Sequence, residues 1–378
     1  MIQVLTKLHL DAVICSSASA ILLLTGYWSV IGASIAAFTK EGETQVVLPE
    51  DEIDLAQRTS GVSLIPYEPS ALAALTTPIE ALADPLRLLT VRLGLRNATI
   101  GLQFDQGMQP ASYASFMEFR SSLFCLLQRL LPGANYTSCD HAIEQMEARK
   151  TAKELDAIQQ ASNIAAAGFE QAPAAIQVGR SEAEIAASVH AAFQASTKAQ
   201  AVERSYGFFF CMSGPNSALA SAAYARTRQR KVEAGDLVMI HANTCADGYW
   251  TDVTRTYTAG APTDRQDTMR FAILEARKKV LSAIRPGVAA RDVDRAARRV
   301  MTAHGLGDAF KHSTGHGVGF AAANANALPR IHPKSPDVLE VGMTFNVEPA
   351  AYFDGYGGMR HRDVVAVTSE GATVFTEF

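Results

Sequence analysis

Two apolar segments of this chain carry polar residues at matched places. The first, DLVMIHANTCADGYWTDVTRT from residue 236, alternates, turns at Asp247-Gly248 and returns through Asp252, which sets His241 opposite a carboxylate. An imidazole in that setting can hold a metal, move a proton near neutral pH, or simply satisfy a core hydrogen bond. The second segment repeats the first faintly. GDLVMIHANTCADGY and GMTFNVEPAAYFDGY each run from glycine through an apolar strand to a polar residue six positions on, then to Asp-Gly-Tyr another six on. His241 and Glu348 therefore occupy equivalent places, and period-two alternation aims equivalent places at one site. His316 sits in TGHGVG, whose glycines let backbone approach a ligand closely. No P-loop lysine follows it, which argues against a phosphate cradle.

The elements that must position these residues fall into two parts. Up to about Gln145, the β-rich runs DAVICSS, SIAAFTK, TQVVLPE, VSLIPYE and ATIGLQF alternate with helical stretches, one of them around Met117–Leu131. The polar stretch from Cys139 to Lys150 marks a boundary, with domains expected over 1–147 and 148–378. Beyond it the spacing predicts helices from Ala152 to about Ala172, from the Ser181–Glu184 capping box to about Ser196, from Arg265 to Ile284 and from Ala290 to Ala303. Strands are expected at 206–213 and 235–258 and through most of the remainder. The fold class is α/β, in two domains.

Composition narrows the function classes. The chain has 378 residues, 48% hydrophobic and 19% charged, enough for a sizeable core. Lys+Arg 34 against Asp+Glu 38 offers no basic surplus for nucleic acid. Five scattered cysteines without a CxxC pair suit a reducing compartment. Ala12 to Thr39 carries no charge, but its serines, glycines and a Thr-Gly-Tyr-Trp break read as strand, helix, turn and strand rather than a membrane span. A cytoplasmic protein with no membrane partner is expected.

DGYWTDVTRT, HSTGHGVG, FNVEP and GMRHRDVVAVT together resemble the Xaa-Pro peptidase, methionine aminopeptidase and creatinase superfamily, with its pita-bread fold. Leu23-Leu24-Thr25-Gly26-Tyr27 is similar to the added N-terminal domain of the Xaa-Pro peptidase and creatinase branch. That resemblance implies a homodimer, and five metal ligands in the order Asp, Asp, His, Glu, Glu. Carried over, the second Asp is Asp252, the His is His316 and the first Glu is Glu348. The first Asp falls on His241, eleven residues before Asp252, and the last Glu falls on Arg362, one before Asp363. The assisting histidines of the family fall on Ala323 and Ser221. Tyr27, Trp28 and Phe104 read as core aromatics, and His312, His332 and His361 as structural.

A guanidinium cannot deprotonate to admit a cation, and Arg362 is expected to fork onto Asp252 and Glu348. The reading that follows is a metal-independent, creatinase-like enzyme without a cofactor. It would act on a small polar molecule with an amide, carboxylate or carbonyl group. His241 and His316 would shuttle protons, Asp252 and Glu348 would orient them, and Arg362 would stabilise an oxyanion. Ser221 and Asp252 depart from creatinase and argue against creatine. Two alternatives stay open. One is an Xaa-Pro-type metallopeptidase with a single altered metal site on Asp252, His316, Glu348 and His241. The other is a non-enzymatic binding module. His241 itself stays open between proton transfer and a core histidine, with the repeat favouring function.

Overall fold

The computed structural model describes residues 1–30, 32–68, 77–104, 121–197, 202–221, 226–321 and 327–378. Ala323 lies outside them. The chain forms two compact units, Met1–Glu147 and Ala148–Phe378.

The first unit is built on a six-stranded sheet of β1 (Ala12–Cys15), β2 (Ile35–Thr39), β3 (Thr44–Pro49), β4 (Ser63–Tyr67), β5 (Thr99–Leu102) and β6 (Asn135–Ser138), in the order β4-β3-β2-β1-β5-β6. Local chemistry accounts for the uncharged run after Asp11. β1 ends at Cys15, Ser17 caps the helix Ala18–Thr25, and Gly26 closes it at φ 78°. A serine N-cap and a left-handed glycine are the ordinary start and stop of a short helix. None of the helices among the described residues is long and apolar enough to cross a membrane. β6 departs from the sequence expectation, because Asn-Tyr-Thr-Ser is polar; it pairs only with β5, at the sheet edge. The stretch read as a polar boundary is instead largely the helix Asp140–Ala148.

In the second unit β7 (Ser205–Ser213), β8 (Leu237–Ala246) and β9 (Tyr249–Thr258) form one antiparallel sheet. Asp247 (φ 48°) and Gly248 (φ 93°) make the β8–β9 turn. Positive φ at both central residues suits the twist of the flanking strands. All ten residues of β8 are buried, so its two faces meet different neighbours. Val238, Ile240 and Ala242 pack into the cluster that also holds Ile164 and Val189, from the helices Ala152–Ala175 and Glu182–Ser196. Leu237 and Met239 face the other way, followed on that face by His241 and Asn243.

The second half repeats the plan with β10 (Thr344–Val347), β11 (Ala350–Phe353), β12 (Gly357–Arg360), β13 (Asp363–Val367) and β14 (Ala372–Val374). Phe345 and Val347 pack into a cluster with Ile273 and Val293, from the helices Asp264–Ala283 and Ala290–Ala303. The intervening positions, Asn346 and Glu348, face inward with His241. A bridge between Thr254 and Arg362 ties the two halves together.

The glycines of TGHGVG serve backbone contact within the protein. A Cβ on Gly315 would lie 1.8 Å from the carbonyl oxygen of Asn346, and one on Gly317 would lie 2.1 Å from that of Leu328. Gly315→Ala must therefore push two strands apart. It is expected to lower unfolding stability by more than about 2 kcal/mol, measured by denaturant titration.

Candidate functional site

The structure brings His241, Asp252, His316, Glu348 and Arg362 together, all buried, on the inner faces of the two halves. Arg362 is the centre of the group. Its Nε donates to Glu348 Oε2 at 2.8 Å, its Nη2 donates to the same oxygen, and its Nη1 donates to Asp252 Oδ1. Backbone bonds hold the strand in place: Arg362 N–H donates to Thr254 O at 3.0 Å, and Arg255 Nη1 donates to Arg362 O at 2.7 Å. Next in the chain, the buried carboxylate of Asp363 accepts from Arg255, Arg277 and Thr376.

Two further inward residues, which the sequence reading did not single out, complete the network. Asn346 lies two before Glu348, and its Nδ2 donates to both Asp252 Oδ2 and His316 Nε2 at 3.0 Å. Arg360 lies two before Arg362, is 2% exposed, and approaches Glu348 Oε2 at 3.9 Å. Its Nε donates to Thr254 Oγ1 at 3.2 Å and its Nη1 to Tyr352 Oη at 3.4 Å. Two carboxylates thus face two guanidinium groups, and the formal charge of the cluster is zero rather than the −1 obtained from Arg362 alone. His312, expected to be structural, is buried against this edge, with Nε2 2.9 Å from Tyr352 Oη and Nδ1 2.8 Å from Ser313 O. Ser221 ends the 3-10 turn Leu219–Ser221, with its hydroxyl 3.5 Å from Ala218 O.

His241 is fully engaged. Its Nδ1 meets Thr254 Oγ1 at 2.9 Å and its Nε2 meets Asn243 Oδ1 at 3.1 Å, while the Phe210 ring stacks on it at 6.1 Å. Because Arg360 donates to Thr254 Oγ1, the hydroxyl proton is free to point at His241 Nδ1, and Nε2–H then donates to Asn243. The Nδ2 of Asn243 is left as a buried donor without a partner. His316 is held as the other tautomer, with Nδ1–H on Gly317 O at 3.0 Å, which leaves Nε2 as an acceptor.

Electrostatics follow from this wiring. Burial drives the His241 pKa down to about 3, against the pull of Asp252. Proton shuttling by His241 is therefore not what the structure supports, since an imidazole that weakly basic takes up little proton at neutral pH. Burial opposes ionisation of Glu348, but Arg362, His312 and Arg360 outweigh it and bring its pKa down to about 2. Asp252 is likewise held well below the usual carboxylate range, its burial outweighed by Arg362, His241 and His316.

The donor set does not fit a metal centre as it stands. A pair of divalent ions needs more carboxylate than Asp252 and Glu348 provide. The lone pairs that would face an ion on Asp252, Glu348 and His316 are taken by Arg362 and Asn346. Among the described residues no group of three or more His, Cys, Asp or Glu side chains is arranged to hold one.

All of these folded-state shifts are depressions, so the sign is common to them. Unfolded His241 gains a proton below its ordinary pKa of about 6.5, while the folded form stays neutral to about 3. Stability is expected to hold above that ordinary value and to fall between the two, by up to about 1.4 kcal/mol per pH unit from this one group. The carboxylates add their loss below about pH 4. Urea unfolding across the range from neutral to mildly acidic pH measures the slope, and His241→Gln is expected to flatten its upper part.

The sequence profile of Metallopeptidase family M24 matches residues 156–369. An Xaa-Pro dipeptidase of Pyrococcus furiosus is 33% identical over 242 residues, 64% of this chain and 67% of that protein. A probable dipeptidase PepE of Mycobacterium tuberculosis is 35% identical over 225 residues, 59% of this chain and 57% of that protein. The chain thus spans about two thirds or less of these relatives' lengths. Among solved structures, the prolidase from Pyrococcus furiosus matches with TM-score 0.79 and 26% identity, over 100% of this chain and 99% of that one. The Xaa-Pro dipeptidase from Bacillus anthracis matches with TM-score 0.80 and 25% identity, over 100% and 97%. These relatives overturn the expectation of a metal-independent, creatinase-like enzyme without a cofactor, since the profile is that of metallopeptidases and the relatives bear dipeptidase names. With its pita-bread fold and a profile match across both halves of the second unit, the chain belongs to metallopeptidase family M24.

Proposed function

We propose that the protein is a hydrolase of the Xaa-Pro dipeptidase type, cleaving the amide C–N bond of short peptides at an altered centre that takes at most one divalent ion. The observation that carries this reading is the convergence of Asp252, His316 and Glu348 inside a dipeptidase-family match. A single ion on those three side chains, with His241 as a fourth donor, requires Arg362 and Asn346 to release them and His241 to give up one of its own hydrogen bonds.

The chain's own residues supply binding. Arg362 uses three of its five N–H groups on Asp252 and Glu348. It is buried but not sealed, at 7% exposure, and its other two N–H groups are available to the terminal carboxylate of a dipeptide. The unpaired Nδ2 of Asn243 is a preorganised donor for the scissile carbonyl oxygen, where charge develops as water adds to the carbon. His316 has Nδ1–H fixed on Gly317 O, so its Nε2, now accepting from Asn346, is the nitrogen that would hold the ion. Asp252 and Glu348, held ionised, keep Arg362 in place until an ion displaces it. The same reading takes the protein as a homodimer in a reducing, cytoplasmic setting. Five cysteines without disulfides support the compartment.

Metal analysis of protein purified without chelators, with hydrolysis of Xaa-Pro dipeptides before and after chelation, tests the proposal. We expect no more than one ion per chain and cleavage that falls on chelation and returns with added ion. Two ions per chain, or no cleavage of Xaa-Pro dipeptides under either condition, would sink it. Asn243→Ala is expected to lower kcat by about a hundredfold with little change in KM. Arg362→Gln strands two buried carboxylates and is expected to cost about 3–5 kcal/mol in denaturant unfolding at neutral pH.

A further inference from the structure

His361, between Arg360 and Arg362, turns to the other side of the chain, with Nε2 3.2 Å from Asp363 Oδ2. A cavity of about 520 Å³ opens there, a volume suited to a small organic molecule. Pro173, Ile176, Ile273, Leu274 and Met359 give it apolar walls. Its polar residues are few: Thr256, Tyr257, Thr258, His361, Arg270, and Arg360, which is 2% exposed and whose side chain is bonded to Thr254 and Tyr352.

Two features mark this as a built cavity. Pro173 lies inside the helix Ala152–Ala175, where it has no N–H for the carbonyl of Phe169. The hydroxyl of Tyr257, itself in the wall, donates to that carbonyl at 3.3 Å, so the break in the helix is satisfied from the cavity side. The other feature is Arg270. Its one hydrogen bond is a 3.4 Å contact with Thr258 Oγ1, and among the described residues it pairs with no carboxylate. An unpaired guanidinium at the mouth of an apolar pocket is chemistry for an anion with an apolar body.

We infer that this cavity is a second small-molecule site, separate from the cluster around Arg362, that binds an apolar carboxylic acid through Arg270. Its floor is also the back of the functional site. Thr256 Oγ1 accepts from Arg360 N–H and donates to Arg360 O, both at 3.0 Å. An occupant therefore rests against the end of β12 at Arg360, two residues before Arg362. Binding here is independent of whether the central cluster cleaves peptides.

Calorimetric titration of the full-length protein with N-acetyl-L-leucine and with its neutral amide tests it. The carboxylate is expected to bind at least about tenfold more tightly than the amide. Arg270→Gln is expected to remove that preference. Leu274→Glu, which sets a negative charge in the wall, is expected to abolish carboxylate binding. Unfolding midpoints close to the parent protein's show that these exposed-site variants fold. Equal binding of the two probes, no binding of either, or carboxylate binding unchanged in Arg270→Gln would each overturn the assignment, the last by placing the probe elsewhere, including on Arg362.

Discussion

The buried fork of Arg362 on Asp252 and Glu348 is the constraint around which the second unit is arranged. Removing charges from water is unfavourable by several kcal/mol per ion, and only close pairing with good hydrogen bonds offsets it. The protein meets that condition by drawing in residues from every strand that borders the site. Arg360 balances the second carboxylate. Thr254 and Tyr352 orient Arg360 through their hydroxyls. Asp363, on the opposite face, fixes the strand through Arg255 and Arg277. Each polar group is placed by another, so the geometry is set by the network rather than by any one pair.

The repeat between the two halves gives that network its symmetry. Gly235 (φ 86°) and Gly342 (φ 88°) begin the two copies in the same left-handed conformation, and Asp-Gly turns end both strands. The apolar face of each copy packs on its own pair of helices. The polar face of each turns inward, and there the copies differ in chemistry: imidazole and amide from one, amide and carboxylate from the other. Asn243 and Asn346 stand in comparable relation to His241 and Glu348, the first two residues after its neighbour and the second two before.

Much of this was legible in the sequence. Strand alternation and matched turns brought His241, Asp252 and Glu348 to one place, the family resemblance added His316 and Arg362, and caps such as Ser181 located helix starts to within a residue. Two kinds of information were not legible. Polar partners such as Asn346 and Arg360 were on the inward face by simple parity, but nothing in an isolated asparagine or arginine says that it is buried. Proton affinity was the other. The role given to His241 depended on its environment, and only the surrounding burial shows how far it is from a useful base. The polar edge strand β6 escaped for a related reason, since an edge needs little apolar surface to pair. The inference of a metal-free enzyme failed at a different point. Two changed positions were weighed above a resemblance that spans the chain, and the relatives that match it carry dipeptidase and prolidase names.

The cancellation of charge in the cluster has a consequence for how molecules arrive. Two cationic and two anionic groups interleaved at close quarters form a multipole whose field dies away quickly, and ordinary salt screens what remains. With no ion bound, such a cluster exerts little pull on charged molecules at a distance. Capture depends on random collision and on shape at close range, so encounter rates should be nearly indifferent to ionic strength, unlike those of clefts with a strong bias in sign.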